Sequence, residues 1–131
     1  MVPQWKGTGV HNSGGHGVAV IDDDADVLDS LKFLLEVAGH HVATYISAID
    51  FLTSPDSDAR CLIVDQHMPN MTGLELIAQL RAGKIPRRIM LITGSSSPAI
   101  RARAAELGVD LVIDKPPAEN DLLNFITASG V

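Results

Sequence analysis

The sequence predicts an α/β fold: a doubly wound, five-stranded parallel sheet with five helices. Two observations carry that expectation. Five short apolar runs, "GVAVI", "HVATY", "CLIV", "RIMLIT" and "DLVID", alternate with five segments whose apolar residues recur at helical spacing. The runs are also nearly all apolar, as strands covered on both faces should be. Strict alternation of this kind argues for parallel strands with helices packed on both sides.

The elements follow in order. After "GVAVI", Val27, Leu28, Leu31, Leu34, Leu35 and Ala38 repeat with the helical period, and Gly39 stands at the C′ position. Asp24 or Asp26 caps that helix or complements its dipole. "HVATY" is the second strand. Ser47, three residues before Asp50, predicts an N-cap opening a short helix through Leu52. "CLIV" is the third strand and ends at Asp65. Thr72 and Glu75 form a capping-box pattern for a helix carrying Leu74, Ile77 and Leu80 and stopped by Gly83. "RIMLIT" is the fourth strand. Ser97 and Pro98 are a good N-cap and N1 pair for a helix running to Gly108. "DLVID" is the fifth strand. Beyond Lys115 and two prolines, Leu122, Leu123 and Ile126 mark the last helix.

Composition bounds the function. The 131 residues suit one domain. At 46% hydrophobic and 20% charged, the chain can bury a core. A net charge of -6 and the lack of a basic stripe argue against nucleic-acid binding by this domain. With one cysteine no intramolecular disulfide can form, and a reducing cytoplasm is the simplest setting. No apolar run approaches the roughly 18 residues of a membrane span, and the start lacks the apolar centre of a signal peptide. Residues 1–16 are glycine-rich and aperiodic, and read as a flexible tail before a domain over 17–131. His11 and His16 in that tail read as solvated. "GTGVHN" has Asn12 where a dinucleotide fingerprint needs its third glycine, and it precedes a strand. No helix-turn-helix or second apolar-periodic segment follows within these residues, and a single-domain protein and a piece of a longer one both stay open.

In doubly wound sheets ligands sit beyond the carboxyl ends of the strands. Strand one ends in Asp22 and Asp23, strand three in Asp65, strand four in Thr93, and strand five in Asp114 and Lys115. Parallel strands bring all these ends to one edge. Clustered carboxylates suit a hard divalent cation such as Mg²⁺, which prefers oxygen ligands and often shares a phosphate oxygen. A hydroxyl and an ammonium beside them complete what phosphoryl transfer needs: charge to offset the phosphoryl oxygens, and a carboxylate as acceptor. Solvated loop acids are the bland alternative, and the complete set at strand termini speaks against it. An EF-hand reading of "DDDADV" fails, because Val27 holds the glycine position and Phe33 that of the closing glutamate. Cys61 reads as a small buried apolar residue.

Taken together, these motifs resemble the receiver domain of two-component response regulators, the CheY-like phosphoacceptors. The resemblance covers residues 17 to about 129. It implies the flavodoxin-like strand order 2-1-3-4-5. It implies that "VIDDD" supplies Asp22 and Asp23 as Mg²⁺ ligands, and that "LIVDQHMPNMTGLEL" supplies Asp65 as phosphoacceptor with the Gln66 backbone carbonyl as a further metal ligand. Met68, Pro69 and Gly73 fit the usual pattern of that loop. Thr93, followed by Gly94, resembles the switch hydroxyl. "DKPP" resembles the end of strand five, with Lys115 catalytic and the Lys115–Pro116 peptide cis. His67, two residues past the acceptor, stands where the family tunes dephosphorylation. The implied partners are a sensor histidine kinase or histidine phosphotransfer protein and a downstream protein target, in the cytoplasm. The implied activity is phosphorelay signalling, with self-catalysed phosphorylation and dephosphorylation only. Two departures stand out: Val112 occupies the place of the family's usual aromatic residue, and Pro117 that of a usual phenylalanine.

Two rivals use similar parts. A haloacid-dehalogenase-type phosphohydrolase also combines Asp, Thr, Lys and Mg²⁺, but its nucleophile ends the first strand and its acidic pair comes last. A pseudo-receiver would keep the fold as a binding module without phosphorylation, and the intact Asp22, Asp23, Asp65, Thr93 and Lys115 set argues against it.

Overall fold

A computed structural model describes residues 17–54 and 59–128. The expected tail, with His11 and His16, lies outside the described residues. Five strands alternate with five helices: β1 (Val18–Ile21), α1 (Ala25–Val37), β2 (Val42–Tyr45), α2 (Ala48–Thr53), β3 (Cys61–Asp65), α3 (Gly73–Arg81), β4 (Arg88–Thr93), α4 (Pro98–Glu106), β5 (Leu111–Asp114) and α5 (Glu119–Ala128). All neighbouring strands pair in parallel, in the order β2-β1-β3-β4-β5. The doubly wound, flavodoxin-like architecture expected from the sequence is the one observed.

Local chemistry explains where the helices begin and end. The Asp24 carboxylate accepts from the backbone N–H of Asp26 and of Val27, so Asp24, not Asp26, caps α1. Ser47 and Ser97 cap α2 and α4. At α3, Thr72 and Glu75 satisfy each other's backbone N–H groups in a capping box. Gly39 and Gly108 follow α1 and α4 with φ of 99° and 69°, the left-handed region that ends a helix cheaply only at glycine.

The pleat divides the core in two. Ala19, Ile21, Leu62, Val64, Ile89 and Leu91 face Phe51 of α2 and Leu76, Ile77 and Leu80 of α3. Their neighbours Val18, Val20, Ile63, Met90 and Ile92 face Leu28, Leu31 and Leu35 of α1 and Leu122, Phe125 and Ile126 of α5. This alternation is the two-residue strand period seen from both sides. One expectation needs qualification. The strands are covered on both faces only in the centre of the sheet, for β5 is an edge strand and Leu111 is 37% exposed.

Candidate phosphoacceptor site

Register assembles the site. Ile21 pairs with Val64, Asp65 with Ile92, and Thr93 with Asp114. One residue beyond Ile21 and Val64 come Asp22 and Asp65, and the parallel direction sends both out of the same edge. The carboxylates of Asp22, Asp23 and Asp65 offer oxygens within 4.8 Å of one another. Asp22 and Asp65 are each 2% exposed, whereas Asp23 faces solvent. Lys115 reaches back from the end of β5 to place Nζ 2.9 Å from Asp65 Oδ1. Its peptide bond to Pro116 is cis.

The electrostatics follow from burial. Asp22 accepts a hydrogen bond from the Asp24 N–H at 2.9 Å, but desolvation outweighs it and pushes the carboxyl up to about 6, with Asp65 and Asp23 adding repulsion. Burial pulls the Lys115 ammonium down. The hydrogen bond and charge of Asp65, with the charges of Asp22 and Asp23, more than offset this, and Lys115 ends above its ordinary value. Asp65 Oδ1 also takes the His67 N–H at 3.3 Å, while Oδ2 is buried with no hydrogen-bond partner. A buried carboxylate oxygen left unpaired is costly and calls for an ion or a water. Three converging carboxylates with one orphaned oxygen fit a hard, oxygen-seeking divalent cation.

The expected Gln66 ligand does not fit. Its backbone carbonyl accepts from Met68 N–H at 3.2 Å and from Gly73 N–H at 3.1 Å, so both lone pairs are spent. Its side-chain Oε1 is turned to α3, where it takes the Leu74 N–H at 2.8 Å. Gln66 instead ties the start of α3 to the loop after β3. Gly73 explains the closeness of that joint: a Cβ there would lie 2.6 Å from the Asp65 carbonyl oxygen.

Thr93 is fully buried at the end of β4, and its Oγ1 lies 3.0 Å from His67 Nε2. The following loop is tied to β5, where Asp114 Oδ1 accepts the Ser96 N–H at 3.1 Å. Neither contact was legible in sequence, although His67 and Asp114 stood out by position. Val112 is half-buried against the core on the α2–α3 side of the sheet.

Residues 18–127 match the family model of the response regulator receiver domain. The chain belongs to that family. Similarity to curated members of it is substantial. The chain is 36% identical over 118 residues to the transcriptional regulatory protein FixJ of Bradyrhizobium diazoefficiens, covering 89% of this chain and 57% of that protein. It is 34% identical over 115 residues to the response regulator TodT of Pseudomonas putida, covering 86% and 50%. The chain thus spans about half the length of the curated relatives it matches. Among solved structures, FixJ-N superposes with a TM-score of 0.77 at 30% identity, covering 90% of this chain and 93% of that one. A CheY-like receiver domain protein from Methanospirillum hungatei superposes with a TM-score of 0.78 at 25% identity, covering 88% and 93%. Among the described residues of this receiver domain no helix is long and apolar enough to cross a membrane.

Proposed function

We propose that this receiver accepts a phosphoryl group on Asp65 from a phosphohistidine of a sensor kinase or phosphotransfer protein, and passes the signal to a protein target through a change of conformation. The observation that carries the proposal is the state of the Asp65 carboxylate: buried, held at Oδ1 by Lys115, unpaired at Oδ2, and beside two further carboxylates. A merely structural aspartate would have both oxygens satisfied.

In this reading an Asp65 oxygen attacks phosphorus, the P–N bond to the donor imidazole breaks, and an acyl phosphate forms. The imidazole leaves with the electron pair of the broken bond and takes a proton from water. Lys115 offsets the charge on the incoming phosphoryl oxygens and holds the carboxylate in place. Asp22, Asp23 and Asp65 would hold Mg²⁺, which when bound supplies positive charge to the phosphoryl oxygens. In place of the Gln66 carbonyl, the His67 carbonyl, which receives no backbone hydrogen bond among the described loop contacts, would complete the set. Thr93 engages the phosphoryl group after transfer, and the 94–100 segment moves with it. Later hydrolysis of the acyl phosphate resets the domain, self-catalysed at the same site. A cytoplasmic phosphorelay is the setting that suits such a module.

The test is incubation with acetyl phosphate and Mg²⁺ followed by trapping of the label. Wild type should label, Asp65→Asn should not, and Asp23→Ala should need more Mg²⁺. Labelling of Asp65→Asn at the wild-type level, or of wild type in excess chelator, would refute the assignment.

A further inference from the structure

The single proton of the Thr93 hydroxyl is already engaged. A hydroxyl has one proton to give and two lone pairs to offer. Oγ1 of Thr93 accepts the Ser95 N–H at 3.3 Å, and the Ser95 carbonyl, also at 3.3 Å, is the more distant acceptor for its proton. The shortest contact is His67 Nε2 at 3.0 Å, which accepts the hydroxyl proton when the ring carries its hydrogen on Nδ1. The imidazole also lies across the next residue, for a Cβ on Gly94 would meet His67 Cδ2 at 3.9 Å. The same residue is anchored to the acceptor, its backbone N–H lying 3.3 Å from Asp65 Oδ1. His67 therefore bridges Asp65 and Thr93 with its backbone on one and its ring on the other.

We propose that His67 is a positioning residue that latches the Thr93 hydroxyl, and with it the start of the 94–97 loop, in the unphosphorylated arrangement. The inference rests on the reading of Asp65 as phosphoacceptor and Thr93 as the group that moves to it. A phosphoryl oxygen only accepts, so it needs the single proton of Thr93, and that proton is held at His67 Nε2 until the contact opens. The latch thus opposes activation, the reverse of what a histidine bound to the phosphoryl group itself would do. The predicted consequences of removing the ring have opposite signs in the two cases.

The experiment compares wild type, His67→Ala and His67→Gln. Glutamine carries a carbonyl oxygen at similar reach that can accept the same proton, and should keep the latch. In chelator without phosphodonor, amide resonances of Gly94, Ser95 and Ser96 should shift in His67→Ala and stay near wild type in His67→Gln. Titration with beryllofluoride and Mg²⁺, which together mimic the phosphoryl group, should show binding roughly two- to tenfold tighter in His67→Ala, the range expected for one net hydrogen bond, and wild-type-like in His67→Gln. Wild type that binds no beryllofluoride would overturn the phosphoacceptor reading and the latch with it. Unmoved loop amides, unchanged or weaker binding in His67→Ala, or His67→Gln matching His67→Ala would overturn the latch alone.

Discussion

The Lys115 ammonium stands 2.9 Å from Oδ1 of Asp65, a carboxylate whose side chain is 1% exposed. Cutting one partner from such a pair leaves a buried charge uncompensated. The lysine is itself about one-third exposed, so solvent screens the pair. In chelator, Lys115→Ala should therefore lose stability on the order of 1 kcal/mol, read by urea denaturation, and Mg²⁺ should recover part of the loss. Lys115 sits above its ordinary value in the folded state. Its contribution is thus present below the unfolded value and fades only as pH rises through the folded one. The gap between mutant and wild type should hold from neutrality to about pH 10. A gap that closes near pH 7 would exclude an ammonium–carboxylate pair.

Asp22 gives a pH dependence of the same sign in a lower window. Its folded value of about 6 lies above the ordinary 3.8, so the folded form binds the proton more tightly. The stability this contributes is complete below about pH 4 and is lost as pH rises through 6. Above pH 6 the buried, cation-free carboxylate is a cost. Asp22→Asn keeps an acceptor for the Asp24 N–H and removes the charge. In chelator at pH 7.5 this mutant should be more stable than wild type by no more than about 3 kcal/mol, with the difference closing near pH 4. Saturating Mg²⁺ should stabilise wild type far more than the mutant. A mutant less stable than wild type at pH 7.5 without cation would contradict the desolvation account.

Gly73 is set by space. A methyl group there would meet the Asp65 carbonyl oxygen at 2.6 Å, Leu91 Cδ1 at 2.9 Å and the Gln66 Cα at 3.0 Å. Two of those three atoms are backbone and cannot swing aside. Gly73→Ala should cost about 1–3 kcal/mol by overpacking. It should also slow labelling from acetyl phosphate, because the helix that must back away carries the Gln66 joint behind Asp65. Wild-type stability and labelling in this mutant would show that α3 can retreat without moving the acceptor.

Val112 bears on how a signal leaves the site. Its side chain is short and stiff at χ1, and it cannot sweep the volume that an aromatic ring at this place would. The route that remains is polar: Thr93 at the end of β4, and the hydrogen bond from Ser96 to Asp114 at the end of β5. With beryllofluoride and Mg²⁺, amide shifts should concentrate in residues 94–100. They should be muted along Leu111–Ile113 and Leu122–Ile126. Equal shifts in the two regions would show that the switch runs without a ring, and would defeat this reasoning from side-chain volume.

Much of the molecule was determined by local sequence. Strand and helix order, the caps at Ser47, Thr72 and Ser97, and the turn glycines Gly39 and Gly108 depend on residues within a few positions of one another. The meeting of Asp22, Asp23, Asp65, Thr93 and Lys115 at one edge also follows from sequence, because parallel strands all end on the same side. Tertiary structure alone decided which atoms were already spent. The Gln66 carbonyl looked available from its place beside Asp65, yet Met68 in the loop and Gly73 at the start of α3 use both of its lone pairs. The ring of His67 finds its partner at Thr93, 26 residues along the chain. Asp22 and Asp23 are adjacent and chemically identical, and only packing buries one and exposes the other. Leu111 is as apolar as the central strands, but β5 ends the sheet and leaves it partly in solvent. A residue's type and its neighbours specify backbone conformation, whereas lone pairs, desolvation and exposure depend on what distant segments bring against it.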